Sequence, residues 1–398
     1  MAGAYGNLLR APGMRGPLVA SIVGRLPIGA GTLTILLLVH AATGSFADAG
    51  VAGAFMAAGM AIGLPQLGRL VDRTGQTRVL VASGLLQAAA FVGLVALAEA
   101  DAPLGALCAG AFAAGLVGPP LGLCMRGLWA QRLADRPELQ SAFAIESVIV
   151  ELVFICGPLL AGGLTAAFSP SVAMLGLAGL VLAGALGFAA TEASRTWRGR
   201  DPGRRHWAGP LRSPGICAIA LASAAFGVGQ GALEVTLTAF GGAHGSTAIA
   251  GPLLSIQAAA SLVAGVLYGS RTWRSNPADR FAAMNALLAI GFAPLALASS
   301  VAGLAPLMVL AGLGLAPVTS TLYLLTDRLA PAGTSTEAFG WTITATVVGS
   351  AAGSALGGAV VEGSVRGGFL LAFGGVCASA LAAGLARPVL RSVPERGV

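Results

Sequence analysis

The 398-residue chain contains no lysine, three histidines, three tyrosines and five cysteines, and only 10% of its residues carry charge. Each shortage excludes something. His40, His206 and His244 fall near helix ends or in a polar connection, where solvated histidine is the default, and they form no metal cluster. The cysteines at 108, 124, 156, 217 and 377 lie within apolar runs without paired or ligand-like spacing. They read as small packing residues, not as a disulfide framework. No phosphate loop and no nucleophile–base pair stands at a recognisable spacing, so we expect no enzyme activity, cofactor or metal. The shortage of charge also excludes a soluble domain, because hydrophobic residues reach 56% and mean hydropathy is +0.83.

What the chain has instead is apolar runs of about 20 residues, each long enough to cross a bilayer core of about 30 Å. Barrel strands would alternate apolar and polar over about 10 residues, and these runs do not. We expect an all-α membrane protein with twelve transmembrane helices near 16–41, 49–67, 79–99, 103–129, 141–167, 171–190, 214–240, 248–269, 281–299, 302–326, 338–361 and 366–386. Arg10 and Arg15 precede a long first run without a clear cleavage site, so no cleaved signal is expected. With the N-terminus inside, every arginine except Arg25 and Arg366 falls on the cytoplasmic side or at its edge. That bias predicts a cell-membrane protein, in a bacterium the inner membrane, with both termini cytoplasmic. The net charge of +7 thus reflects topology, and no nucleic-acid partner is expected.

The polar stretch TEASRTWRGRDPGRRHWAGPLRSP, 191–214, separates six spans from six. It divides the chain into bundles at 1–190 and 214–398 joined by a cytoplasmic linker, 191–213. The bundles repeat. RLADRPELQSAF (132–143) aligns with RLAPAGTSTEAF (328–339), and the same offset of 196 carries Gly118 onto Gly314, Gly157 onto Gly353 and Gly162 onto Gly358. We therefore expect two pseudo-symmetric six-helix bundles.

Between spans two and three, GRLVDRTGQTR places Gly68, Asp72, Arg73, Gly75 and Arg78 in the pattern G-x-x-x-D-R-x-G-x-x-R. Glycine permits close helix approach. The arginines hold the loop at the inner surface. The aspartate can face a helix N-terminus. A simpler reading is that the charges only orient the loop. With twelve spans and this element in this loop, the whole chain resembles major facilitator superfamily transporters. The resemblance implies that Asp72 locks the halves together near the start of span eleven, at TSTEAF, 334–339. The second-half counterpart, YGSRTWR at 268–274, keeps Gly269 and Arg271 but has no aspartate. On span five, GPLLAGG (Gly157, Pro158, Gly162, Gly163) is similar to the motif of proton-coupled exporters, with one extra residue before the glycine pair. A kink with a tight packing surface explains it equally.

Ionisable groups inside a membrane are functional candidates by default. Glu151 lies ten residues past Ser141, about 15 Å deep, and Glu146 about 7.5 Å deep. Five residues apart, they should face different neighbours. Glu151 is the first candidate for a proton carrier, ahead of Glu234 and Glu146, since a desolvated carboxyl favours its neutral form. A structural ion pair or hydrogen bond is the competing reading. Glu234 belongs to a span-seven stripe of Gly227, Gln230, Gly231, Glu234 and Thr238, which we expect to face substrate or water unless Glu234 is only wet from outside. Arg25, sharing a face with Gly29 and Thr32, either pairs with a buried carboxylate, binds an anionic substrate group, or snorkels to the inner surface. Arg126 reads as interfacial. Thr319, Ser320, Thr321 and Tyr323 follow Pro317 on span ten and can line the cavity or satisfy their own helix. Gln87, Gln257 and Asn285 read as interhelical glue.

Together these readings predict a monomeric, proton-coupled secondary transporter that exports small amphipathic molecules such as drugs or secondary metabolites. Its partners would be the substrate, protons and the bilayer. The alternatives are an importer or facilitator of a small organic anion, and a membrane sensor or scaffold that transports nothing.

Overall fold

A computed structural model describes residues 13–134, 136, 138–199, 209–245 and 249–391, without the side chains of Thr32, Phe46 and Ala47. The readings placed on Arg10, His206, the Thr32 side chain and the middle of the linker, 200–208, lie outside the described residues. Among those residues all regular structure is helical. We number the spans α1 (Arg15–Thr43), α2 (Phe46–Thr74), α3 (Gln76–Glu99), α4 (Leu104–Arg132), α5 (Glu138–Ala167), α6 (Pro170–Ala189), α7 (Pro214–Ala243), α8 (Ala250–Gly269), α9 (Pro277–Leu297), α10 (Val301–Leu329), α11 (Ser335–Val361) and α12 (Val365–Leu385). Eleven are long and apolar enough to cross a bilayer, and α1 makes twelve when its segments Arg15–Gly31 and Leu33–Thr43 count as one span. Large apolar side chains such as Phe55, Leu86, Phe154, Leu159, Leu221 and Ile290 are exposed, as a lipid-facing surface requires.

The helix starts follow from local chemistry. Hydroxyls of Ser45, Ser169, Ser213, Ser300 and Ser364 each accept the backbone N–H three residues on, at α2, α6, α7, α10 and α12, and the Asn276 side chain caps α9. The terminal ends outrun the apolar runs. The span predicted at 49–67 is a helix to Thr74, and the one predicted from 141 begins at Glu138. Hydropathy marks the lipid slab, whereas the helices continue into water with Arg69, Asp72 and Arg73 still in register.

Two spans expected to be continuous are broken. In α4, residues 117–120 separate Leu104–Leu116 from Leu121–Arg132, because Pro119 and Pro120 have no N–H to give the helix. In α10, Leu313 and Gly314 separate Val301–Gly312 from Leu315–Leu329. Gly118 and Gly314, matched by the internal repeat, both sit at these breaks. The repeat recurs in packing. A Cβ on Gly157 of α5 would fall 2.6 Å from the carbonyl carbon of Gly29 on α1, and one on Gly353 of α11 would fall 2.1 Å from the carbonyl oxygen of Val228 on α7. Equivalent helix pairs thus meet backbone to backbone at equivalent glycines.

The exporter-like stretch on α5 behaves differently from its reading. The helix runs on through Pro158 to Ala167. Only Gly157 makes a close contact, while Gly162 and Gly163 have open space where a Cβ would stand, so they form no tight packing surface.

Candidate functional site

The Gly–Asp–Arg element forms the first part of the site. Gly75 bridges α2 and α3 at φ +91°, a backbone conformation that favours glycine. The turn places Asp72, 8% exposed, against the first turn of α11. Its Oδ1 accepts the Thr336 N–H at 3.2 Å and its Oδ2 accepts the Glu337 N–H at 2.9 Å. The carboxylate therefore takes up two N–H groups that lack intrahelical partners, at the end of the helix that favours negative charge. Arg69 Nη2 donates to Glu337 Oε1 at 2.6 Å. Gly68 allows the approach, since a Cβ there would stand 2.8 Å from the Thr336 carbonyl oxygen. Higher up, Thr344 Oγ1 donates to the Ala61 carbonyl at 3.0 Å. Arg73 and Arg78 are exposed and take no part in this contact.

A second seam joins α5 to α8. Ser141 Oγ donates to the Gly269 carbonyl at 2.6 Å, and Arg280 of α9 donates to Gln140 Oε1. Near mid-membrane, Ser261 Oγ donates to Glu151 Oε1 at 2.8 Å and accepts the Ala316 N–H, 3.1 Å away, at the break in α10. The seams run from the face carrying the chain ends to Ala61 and Glu151, about halfway along helices of 29 and 30 residues. The structure thus holds the halves together at the terminal face.

The third part is a buried charged cluster. Arg25 Nη1 donates to Glu146 Oε2 at 2.9 Å, and Arg126 Nε lies 4.0 Å from the same oxygen. Arg126 Nη2 donates to the Tyr323 hydroxyl at 2.9 Å, and its guanidinium carbon sits 3.9 Å from the centre of the Tyr323 ring. Arg25 and Arg126 are each 3% exposed and Glu146 is 0% exposed. Gly122 lets the two arginines converge: a Cβ there would be 3.4 Å from Arg25 Cζ and 3.6 Å from Arg126 Nη1. Phe143 of α5 and Phe339 of α11 pack edge-on to Tyr323, with ring centroids at 6.3 and 6.1 Å, and cover the cluster.

Among the three readings of Arg25, the buried pair with a carboxylate is the one found, and the carboxylate is Glu146. The interfacial reading of Arg126 is corrected. It is buried, because its side chain packs against Glu146 and Tyr323 and the helix runs six residues past it to Arg132. Glu146 and Glu151 do face different neighbours, the first its own half and the second the other half. The span-seven stripe splits. Gly227 and Gly231 pack dry on α11, where Cβ atoms would meet the Thr346 and Ser350 carbonyl oxygens at 2.1 and 2.0 Å. Glu234 and Thr238 are exposed, and Thr238 bonds back to the Glu234 carbonyl. Neither Gln230 nor Glu234 joins the charged cluster. Thr319 donates to its own helix at Leu315 and lines a small pocket inside the second half with Ser223 and Ser379. Gln87 bonds the Ala114 carbonyl of α4, and Asn285 receives Ser379 of α12, as interhelical glue should. What sequence reasoning missed was the bond from Arg126 to Tyr323 of the other half, for which distance from the span's end carries no signal.

A family model described as Major Facilitator Superfamily matches residues 26–354. A curated relative, the uncharacterized MFS-type transporter y4rN of Sinorhizobium fredii (strain NBRC 101917 / NGR234), is 26% identical over 343 residues, which is 82% of each chain. Among solved structures, the human organic anion transporter MFSD10 (TETRAN) aligns with TM-score 0.73 at 16% identity, over 94% of this chain and 100% of that one. A bacterial homologue of the iron transporter ferroportin, in its outward-facing state, aligns with TM-score 0.72 at 14% identity, over 96% and 99%. The transporter FucP in its outward conformation gives 0.68 at 13%, over 92% and 97%. At these identities the structural likeness speaks for the fold alone.

Proposed function

The chain belongs to the major facilitator superfamily, and we propose that within it the protein is a proton-coupled secondary transporter that exports small amphipathic molecules. The terminal face is cytoplasmic by its arginine bias, so halves joined at that face describe an outward-open or occluded state. Glu151 is the coupling carboxylate. The observation that carries this is its hydrogen bond, from Ser261 of the opposite half, which must break when the inner face opens.

Ser261 Oγ donates to Glu151 Oε1 and also accepts the Ala316 N–H, which ties the carboxyl to the break in α10. A hydrogen bond to an ionised acceptor is roughly twice as strong as one between neutral groups. In the closed inner face the bond from Ser261 favours the ionised carboxylate and burial favours the neutral one, so a change of protonation alters the balance between closed and open. For export, a proton taken up from outside has to bias the halves toward opening inward, and its release inside has to restore the outward state. That differential binding is what coupling requires. It suits exchange of an outgoing substrate for an incoming proton.

The test uses the full-length protein in proteoliposomes. Glu151→Gln should abolish uphill transport driven by a pH gradient while retaining substrate exchange between the two sides. Uphill transport at the native rate in that variant would remove Glu151 from the mechanism.

A further inference from the structure

The buried cluster contains two arginines and one glutamate. The near oxygen of Glu146 is taken by Arg25 at 2.9 Å, and it stands 4.0 Å from Arg126. Arg126 Nε and Glu146 Oε1 are buried without hydrogen-bond partners. One positive charge is therefore left over, and it rests on Arg126. A desolvated cation without a counterion is costly. In the closed inner face, Arg126 shares Glu146 with Arg25 and meets from the other half a neutral group, the hydroxyl and ring face of Tyr323. Tyr323 belongs to α10 and Arg126 to α4, so any opening between the halves at this face separates them.

We propose that Arg126, exposed when Tyr323 withdraws, is the binding site for the single anionic group of the substrate, and that Tyr323 is a built-in competitor which expels that group as the inner face closes. This rests on the transporter reading above and names its substrate class: an organic monoanion, a carboxylate or sulfonate, with an apolar body. One charge is required because the cluster lacks one, and a dianion would restore the imbalance with opposite sign beside Glu146. An apolar body is required because the flanking groups are the rings of Phe143 and Phe339, both fully buried. Gly122 leaves room for both guanidinium groups beside the anion. The site binds when open to the inside and is filled by Tyr323 when open to the outside, so affinity falls along the direction of export.

Equilibrium binding to the purified full-length protein in detergent tests this, with 1-naphthoate and its neutral amide, 1-naphthamide, as probes. Tyr323→Phe keeps the ring and deletes the competing hydroxyl. It should tighten naphthoate binding about tenfold, near the lower end of what a hydrogen bond to a charged group is worth, and leave naphthamide unchanged. Arg126→Lys should keep the preference for the anion and Arg126→Gln should lose it. If Arg126→Gln does not fold, the Tyr323→Phe and Arg126→Lys results decide alone. The proposal is overturned if Tyr323→Phe binds naphthoate no better than wild type, if it gains equally for the amide, or if Arg126→Gln keeps the anion preference. Because binding is measured without a proton gradient, these outcomes are separate from those of Glu151→Gln. Loss of gradient-driven transport in Glu151→Gln beside an unmoved naphthoate preference in Tyr323→Phe would sink this site and leave proton coupling standing.

Discussion

Replacing Asp72 by asparagine should shift the access equilibrium by roughly 30-fold toward the state open at the terminal face. The carboxylate accepts two backbone N–H groups of α11, at 3.2 and 2.9 Å, in a site 8% exposed. Hydrogen bonds to charged groups contribute about 1.5–3 kcal/mol each. Asparagine has the same shape and keeps one carbonyl acceptor, but it turns an NH₂ toward the second N–H and removes the charge at the helix N-terminus. Offsetting this, the substitution relieves repulsion from Glu337, and the Arg69–Glu337 pair survives. A net loss of about 2 kcal/mol remains, and about 1.4 kcal/mol is a factor of ten. Only the closed state makes these bonds, so the whole loss appears as opening. Spin labels at Thr74→Cys and Arg328→Cys, exposed residues on opposite halves, report it as a longer distance population in a background free of the native cysteines. An unchanged distance distribution in Asp72→Asn, with native transport, would show that the two hydrogen bonds do not hold the halves together.

Further substitutions test the same framework. Gly68→Ala should open the terminal face more than Asp72→Asn does, because its Cβ would meet backbone atoms of Thr336 and Glu337 at 2.8 and 3.0 Å that cannot rotate aside. Gly50→Ala, with open space around it, should behave as wild type in the same spin-label measurement. Arg25→Gln breaks the 2.9 Å bond to the fully buried Glu146 but leaves Arg126 beside it, so it should lower stability by less than the roughly 3–5 kcal/mol of a stranded buried charge in a thermal or denaturant melt. Adding Glu146→Gln leaves Arg126 without a carboxylate and should lower stability further, and a recovery instead would mean that Arg126 does not take over as the partner of Glu146.

The architecture was legible because the bilayer imposes it. Apolar runs located twelve helices without any tertiary information. The contact of Asp72 with α11 was legible only through the family resemblance, since its partners Thr336 and Glu337 lie far away in the sequence. The charged cluster was not legible, because distance from the end of a span does not say which neighbour a side chain faces. Arg126 lies near the inner end of the span predicted at 103–129, yet it is buried against Glu146 and Tyr323. The span-seven stripe failed for a different reason. Periodicity identifies a face but not its partner, and a glycine face that would suit water suits the backbone of α11 equally well.

The internal repeat gives the two seams different chemistry on one geometry. An offset of 196 carries Ser141 onto Glu337. At the α2–α11 seam a carboxylate of the first half accepts backbone N–H groups of the second. At the α5–α8 seam a backbone carbonyl of the second half accepts a hydroxyl of the first, at 2.6 Å. The first seam has a fixed charge on a helix end, and the second carries Glu151 on a serine. A rigid rocking motion has to break both together, so a proton need act on only one of them to change the balance of the whole. Arg126 and Tyr323 join the same two systems, because Phe143 of α5 and Phe339 of α11 both lie against the tyrosine ring. The bond from Arg126 to Tyr323 therefore lies, like the two seams, on a contact that opening must break.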